Sequence, residues 1–270
     1  MVRRVSGRGF TLIEMAIVVV IIGLLLSGSL LAVSPVIQGS KVSDTSARLD
    51  RLEQALTVYV IQNACLPCPA DVGLASSNAN AGWAHGSDYY GLTHTVVAQQ
   101  HACSLTSVCG AVQGAVPWNT LGLSETDVTD AWGNRIEYAV TAARTGTSQM
   151  VRTPPSTYPA GTLLVDNNAS TAQQQTNAAA YVLISHGPDQ AYAYKATYGG
   201  TAISPQYDFT GQATIKNYDS AGTRLAATHF AQGDYVAAAN NTHFDDLVRW
   251  RTGPIIIQGC GPNACGNPAQ

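Results

Sequence analysis

Charge is scarce in this chain, and that scarcity excludes several functions. Only 11% of the 270 residues are charged. No stripe of Lys and Arg is present to hold a run of phosphates, so nucleic acid is not expected as a ligand. Catalytic signatures are missing too: no G-x-S-x-G, no H-E-x-x-H and no P-loop occurs. The six histidines, His85, His94, His101, His186, His229 and His243, are scattered without an i, i+4 pair, and each is expected at the surface or in a loop. Nothing recurs with a period of 20–50 residues, which excludes solenoids and propellers. The expectation is a protein that is not an enzyme.

Charge is scarcest over residues 10–33, an apolar run in which Glu14 is the only charged side chain. As a helix it would span roughly 36 Å, enough to cross a hydrocarbon core of about 30 Å. A carboxylate at that depth costs on the order of 2.5–3.5 kcal/mol on insertion scales, so a partner is implied. Were the chain cut after Gly9, the new amino group on Phe10 would lie one helical turn from Glu14, on the same face. Before the run stand Arg3, Arg4 and Arg8, the only charges of the leader, which places the N-terminus in the cytoplasm and the rest outside it. Removing those three from the 14 basic residues leaves 11 against 17 acidic side chains, a formal charge of −6.

A basic leader, Gly9, then Phe10-Thr11-Leu12-Ile13-Glu14 and an apolar helix resemble the start of a type IV prepilin or pseudopilin. The resemblance implies cleavage between Gly9 and Phe10 by a prepilin peptidase, N-methylation of Phe10 by the same enzyme, and an assembly role for Glu14. It also implies partners: other pilin or pseudopilin subunits, an inner-membrane assembly platform and membrane lipid. The expected location is the bacterial inner membrane, single-pass, with the C-terminal part periplasmic and later in a periplasmic or cell-surface filament.

After Pro35 the pattern turns amphipathic. Leu49, Leu52, Leu56 and Val60 recur at spacings of three and four with charged residues between them, which predicts a helix with one core-facing stripe. One long helix is expected, kinked or loosened at Pro35 and ending near Cys65-Leu66-Pro67-Cys68-Pro69. The expected division is a leader (1–9), a membrane half of the helix (10–33), an amphipathic half (34–64) and a globular part (65–270). Residues 70–133 read as loop-rich. Strand-like runs follow at 136–140, 162–165, 181–184, 191–194 and 254–257, rich in β-branched and aromatic residues, and predict an antiparallel sheet. Residues 166–180, with Asn, Ala, Thr and Gln, read as a solvated loop. Trp118, Trp132 and Trp250 are expected to cover the core or the sheet. The fold class is α+β, and the resemblance implies a type IV pilin-like fold.

Three segments, Asp130-Ala131-Trp132-Gly133-Asn134-Arg135-Ile136-Glu137-Tyr138, Tyr181-Val182-Leu183-Ile184-Ser185-His186-Gly187-Pro188-Asp189 and Phe244-Asp245-Asp246-Leu247-Val248-Arg249-Trp250, are similar to ordered landmarks of the major pseudopilins of type II secretion. There they surround a structural calcium loop, which makes Asp189, Asp245 and Asp246 candidate ligands by position, for a hard cation that takes several oxygens. Gln190 stands where that family has Gly, and the interval from Asp189 to Asp245 is far longer than its compact loop. Capping or turn stabilisation by exposed Asp side chains is the other reading of the three acids. No cofactor is required; calcium would be structural.

The cysteines fall as 65/68, 103/109 and 260/265. An even count in an exported segment favours disulfides, with fifteen pairings open. A C-x-x-C redox site should open a helix, whereas this one closes a helix. Haem attachment lacks the following His, and zinc would compete with oxidation. Leu66-Pro67-Cys68-Pro69-Ala70-Asp71 and Gly114-Ala115-Val116-Pro117-Trp118 resemble segments of a group of large pilin-like proteins. That resemblance implies links between Cys65/Cys68 and Cys103/Cys109, and a small loop closed by Cys260 and Cys265. The function expected is a pilin-like structural subunit, pseudopilin or minor pilin, of a type II secretion pseudopilus or type IV pilus. The alternative is a membrane-anchored periplasmic binding or adhesive module that uses the same export signal.

Overall fold

The computed structural model describes residues 11–84, 109, 112–151, 160–167, 174–190, 193–195, 229–236, 244–260 and 265, with the side chains of 24–36 not described. The chain divides into two compact units, 1–41 and 42–270. Helix α1, Leu12–Asn63, is continuous and contributes to both; Pro35 does not interrupt it. In the first unit, Leu12, Ile13, Val19 and Val20 stand exposed. Among the residues described, no helix is long and apolar enough to cross a membrane. The apolar run of residues 10–33 continues into 24–33, where side chains lie outside the description.

In the second unit α1 buries the predicted stripe completely: Leu49, Leu52, Leu56 and Val60 are each 0% exposed. At roughly 1.5–3 kcal/mol for each fully buried aliphatic side chain, these four supply on the order of 6–12 kcal/mol of apolar driving force, an upper bound because the unfolded chain is not fully extended. The helix ends at Asn63, and Ala64 follows with φ 56°, the left-handed conformation that closes many helices.

Strands β1 (Gln113–Ala115), β3 (Glu137–Val140), β5 (Gln174–Ser185), β4 (Leu163–Asn167) and β7 (His229–Gln232) lie side by side in that order, and β8 (Leu247–Thr252) also pairs with β5. A small second sheet joins β2 (Asn134–Arg135) to β6 (Tyr194–Lys195). Alternation along the strands sorts side chains onto two faces. Tyr138, Val140, Tyr181, Leu183 and Leu247 join the core that contains the α1 stripe. Ala139, Val182, Ile184 and Val248 join a second core with Leu163, Val165, Phe230 and Phe244. Trp118 is buried, while Trp132 and Trp250 pack half-buried against the first and second cores. Two arginines two positions apart on β8 grip the helix. Arg249 reaches Ser46 at 2.6 Å and Asp50 at 3.4 Å, and Arg251 reaches Glu53 at 2.6 Å.

The α+β class holds, as a mixed helix-and-sheet fold with mostly antiparallel pairing, but four expectations need correction. The sheet is not wholly antiparallel, since β7 runs parallel to β4. Residues 166–180 are not all loop: β4 runs on to Asn167 and β5 begins at Gln174, because pairing with a neighbour overrides the weak strand propensity of Asn and Gln. Of the 191–194 run, the described part yields only the β2–β6 pairing at Tyr194. The run 254–257 is helix, not strand: α2 is Gly253–Gln258, with Pro254 in its first turn, where a missing N–H costs nothing.

Cys68 and Cys109 form a disulfide, as do Cys260 and Cys265. Cys65 is also disulfide-bonded, to a partner outside the described residues, and no free cysteine is found among the described residues.

Candidate functional site

At the start of α1 the described geometry is a capping box. The Thr11 N–H and hydroxyl donate to Glu14 Oε2, each at 3.4 Å, and the Glu14 N–H donates to Thr11 Oγ1 at 3.3 Å. The T-x-x-E spacing thus satisfies amides that no helical carbonyl can reach. Gly9 and Phe10 lie outside the described residues. Both box residues are exposed, so the carboxylate is held locally and open to a further partner.

In the second unit the three landmark segments converge. Asp130, 2% exposed, accepts the Trp132 N–H at 2.9 Å, the Asn134 N–H at 2.8 Å and the Ser185 hydroxyl at 2.8 Å. Burial still raises its carboxyl above the ordinary aspartate value, against those hydrogen bonds. On the other face of the sheet, His186 Nε2 lies 3.0 Å from Glu137 Oε2, and Nδ1 lies 3.6 Å from Asp246 Oδ1. The expectation of a surface or loop position for His186 holds only in part: it stands in the loop after β5, but it is buried there at 1% exposure. The residue follows β5 with the parity of Val182 and Ile184, so it enters the face that Glu137 shares. Two lone ionisable residues beside buried strands, Glu137 before Tyr138-Ala139-Val140 and His186 after Tyr181-Val182-Leu183-Ile184, were the available signal.

Burial opposes a charged ring, but the hydrogen bonds and charges of Asp246 and Glu137 overcome it and push the His186 pKa from 6.5 up to about 10. Because the folded value is the higher one, the resulting stability is complete below the unfolded value and is lost as pH rises through the folded one. The midpoint urea concentration should therefore be highest near or below pH 6.5 and decline towards pH 10, a trend that His186→Gln should flatten. His229 is 37% exposed at the side chain and contacts Asp166 at 2.6 Å. The other four histidines lie outside the described residues.

The candidate calcium ligands are brought near one another, but the carboxylates of Asp245 and Asp246 are turned to protein partners. Asp245, 4% exposed, accepts the Asp189 N–H at 3.0 Å through Oδ2, and Asp246 faces His186. Gly187, at φ 61°, lies so close that an added Cβ would sit 2.2 Å from the Asp245 carbonyl oxygen. Calcium wants six to eight oxygens around one point, and these donors do not fit it. Among the described residues, no group of three or more His, Cys, Asp or Glu could hold a metal ion.

Gln190 adopts φ 57°, so the backbone there has the shape glycine favours. Gln190→Gly should therefore stabilise the chain or leave it level, within about 1 kcal/mol, read from urea unfolding; a clear loss would mean that the Gln side chain contributes more than the strain costs.

Sequence reasoning also missed Arg135, 2% exposed. Its guanidinium donates to the carbonyls of Leu74 at 2.7 Å and Val72 at 3.2 Å, pairs with Glu125 at 2.7 Å and lies 5.1 Å from the Trp118 ring centre. Trp118 rests on Gly82, where a Cβ would come within 2.1 Å of the ring. This cluster pins residues 72–82 to the sheet.

With the geometry in hand, residues 6–30 match the family described as prokaryotic N-terminal methylation motif. The chain thus carries the prepilin-type signal of type IV pilins and pseudopilins. Neither a curated protein nor a solved structure matches it.

Proposed function

We propose that the chain is a pilin-like structural subunit, a pseudopilin or minor pilin, cut after Gly9, methylated on Phe10 and drawn from the inner membrane into a filament. The observation that carries this reading is the methylation motif at 6–30 running into the first turn of a 52-residue helix. The sequence run 10–33 supplies the membrane span. The helix then leads into a disulfide-bonded α+β unit whose surface needs little charge. Glu14 is the assembly residue: its carboxylate faces outward at the helix start, within one turn of the amine that cleavage would create. Partners are the prepilin peptidase, other pilin-type subunits and an inner-membrane platform. No side chain is assigned a catalytic role.

Processing tests this reading. The mature protein should begin at N-methyl-Phe10, read by mass spectrometry of protein purified from cells that contain prepilin peptidase. A leader still carrying Arg3, Arg4 and Arg8 in such cells would end the assignment.

A further inference from the structure

We propose that His186 closes the polar node of the second unit in the place a bound cation would otherwise take, so that the fold depends on one imidazole and not on a metal ion.

Three separate elements meet there. Glu137 comes from β3, His186 from the turn after β5, and Asp245 and Asp246 from the segment that enters β8. Glu137 and Asp246 bring two carboxylates to one poorly solvated place, Glu137 at 1% and Asp246 at 16% side-chain exposure. Like charges taken out of water require a group of opposite polarity between them. A calcium ion answers that requirement with one charge centre surrounded by converging oxygens. Here an imidazole answers it from within the chain, presenting one ring nitrogen to each carboxylate.

The neighbouring acid is placed accordingly. Asp245 serves the backbone of the turn by accepting the Asp189 N–H. Gly187 lets that turn approach the Asp245 carbonyl too closely for any side chain. Glu137 Oε2 and Asp246 Oδ1 therefore face the imidazole while Asp245 Oδ2 takes a backbone N–H, and the three segments are tied by groups that the sequence itself supplies. This inference does not depend on filament assembly, because it concerns only the folded chain.

Thermal melting of the purified full chain in detergent tests it. The wild-type melting temperature should be the same with EDTA and with added calcium chloride. His186→Ala should lower it by roughly 10 °C, and calcium should not restore the loss. Adding Glu137→Gln and Asp246→Asn to His186→Ala should recover part of the loss, since amides do not need the opposing charge. A wild-type melting temperature that falls on chelation or rises with calcium would overturn the proposal, whatever the variants do. So would a His186→Ala chain that melts as wild type, or a triple variant no more stable than the single one.

Discussion

Glu14→Val protein should be made, cleaved and membrane-bound at wild-type levels or above, yet be absent from filaments. Two local effects of the substitution oppose each other. Losing the contact of Glu14 with Thr11 costs the helix start about 0.5–2 kcal/mol, while removing the carboxylate relieves on the order of 2.5–3.5 kcal/mol of insertion cost. The balance favours the membrane. Under the proposed assembly role, what disappears is the charge that a Phe10 amine on an adjacent subunit would meet, and with it a contact that would set the stagger of packed helices. Glu14→Gln should fail in the same direction but less completely, because an amide keeps hydrogen bonding. Immunoblots of sheared filaments against the membrane fraction measure the outcome. Wild-type incorporation of Glu14→Val would remove the assembly role and favour the anchored-module reading.

Arg135→Ala should have the largest effect on stability. The side chain is almost fully buried, and its removal would leave the Leu74 and Val72 carbonyls and the Glu125 carboxylate without their donor. Breaking a buried charged network by removing one partner costs about 3–5 kcal/mol, or roughly 10 °C in melting temperature for a unit of this size. Arg135→Lys should fall between, since a single ammonium cannot reproduce a fork that serves two carbonyls and a carboxylate. Far-ultraviolet circular dichroism during heating gives the comparison. An Arg135→Ala chain that melts close to wild type would mean that residues 72–82 are held by other contacts.

Legibility in the sequence followed the range of the interaction. The stripe Leu49, Leu52, Leu56 and Val60 could be read because a helical face is written in residues a turn apart, and all four are fully buried. The strands at 137–140 and 181–184 could be read from their β-branched and aromatic residues. The first half of β5 could not, because Gln174 and Gln175 become strand only through partners that the sequence does not place beside them. Pro254 before three isoleucines looked like a strand start, yet proline is equally at home in the first turn of a helix. The methylation signal is contiguous and was legible in full. His186 and Arg135 were not, because His186 meets Glu137 across 49 residues of chain and Arg135 meets the Leu74 and Val72 carbonyls across 61 and 63, although its Glu125 partner lies only 10 residues away. A scattered histidine and a charged residue in a polar stretch carry no local mark of burial.

The grip of β8 on α1 has a mechanical side. Ser46, Asp50 and Glu53 are spread over two turns of one helix, and Arg249 and Arg251 hold all three from a strand that is itself hydrogen-bonded along β5. Tension along the helix axis would load these contacts together, in shear, rather than peel them one after another. The helix could not slide past the sheet until all three let go, and a pull along α1 would reach the sheet as a pull on β8 and, through its pairing, on β5.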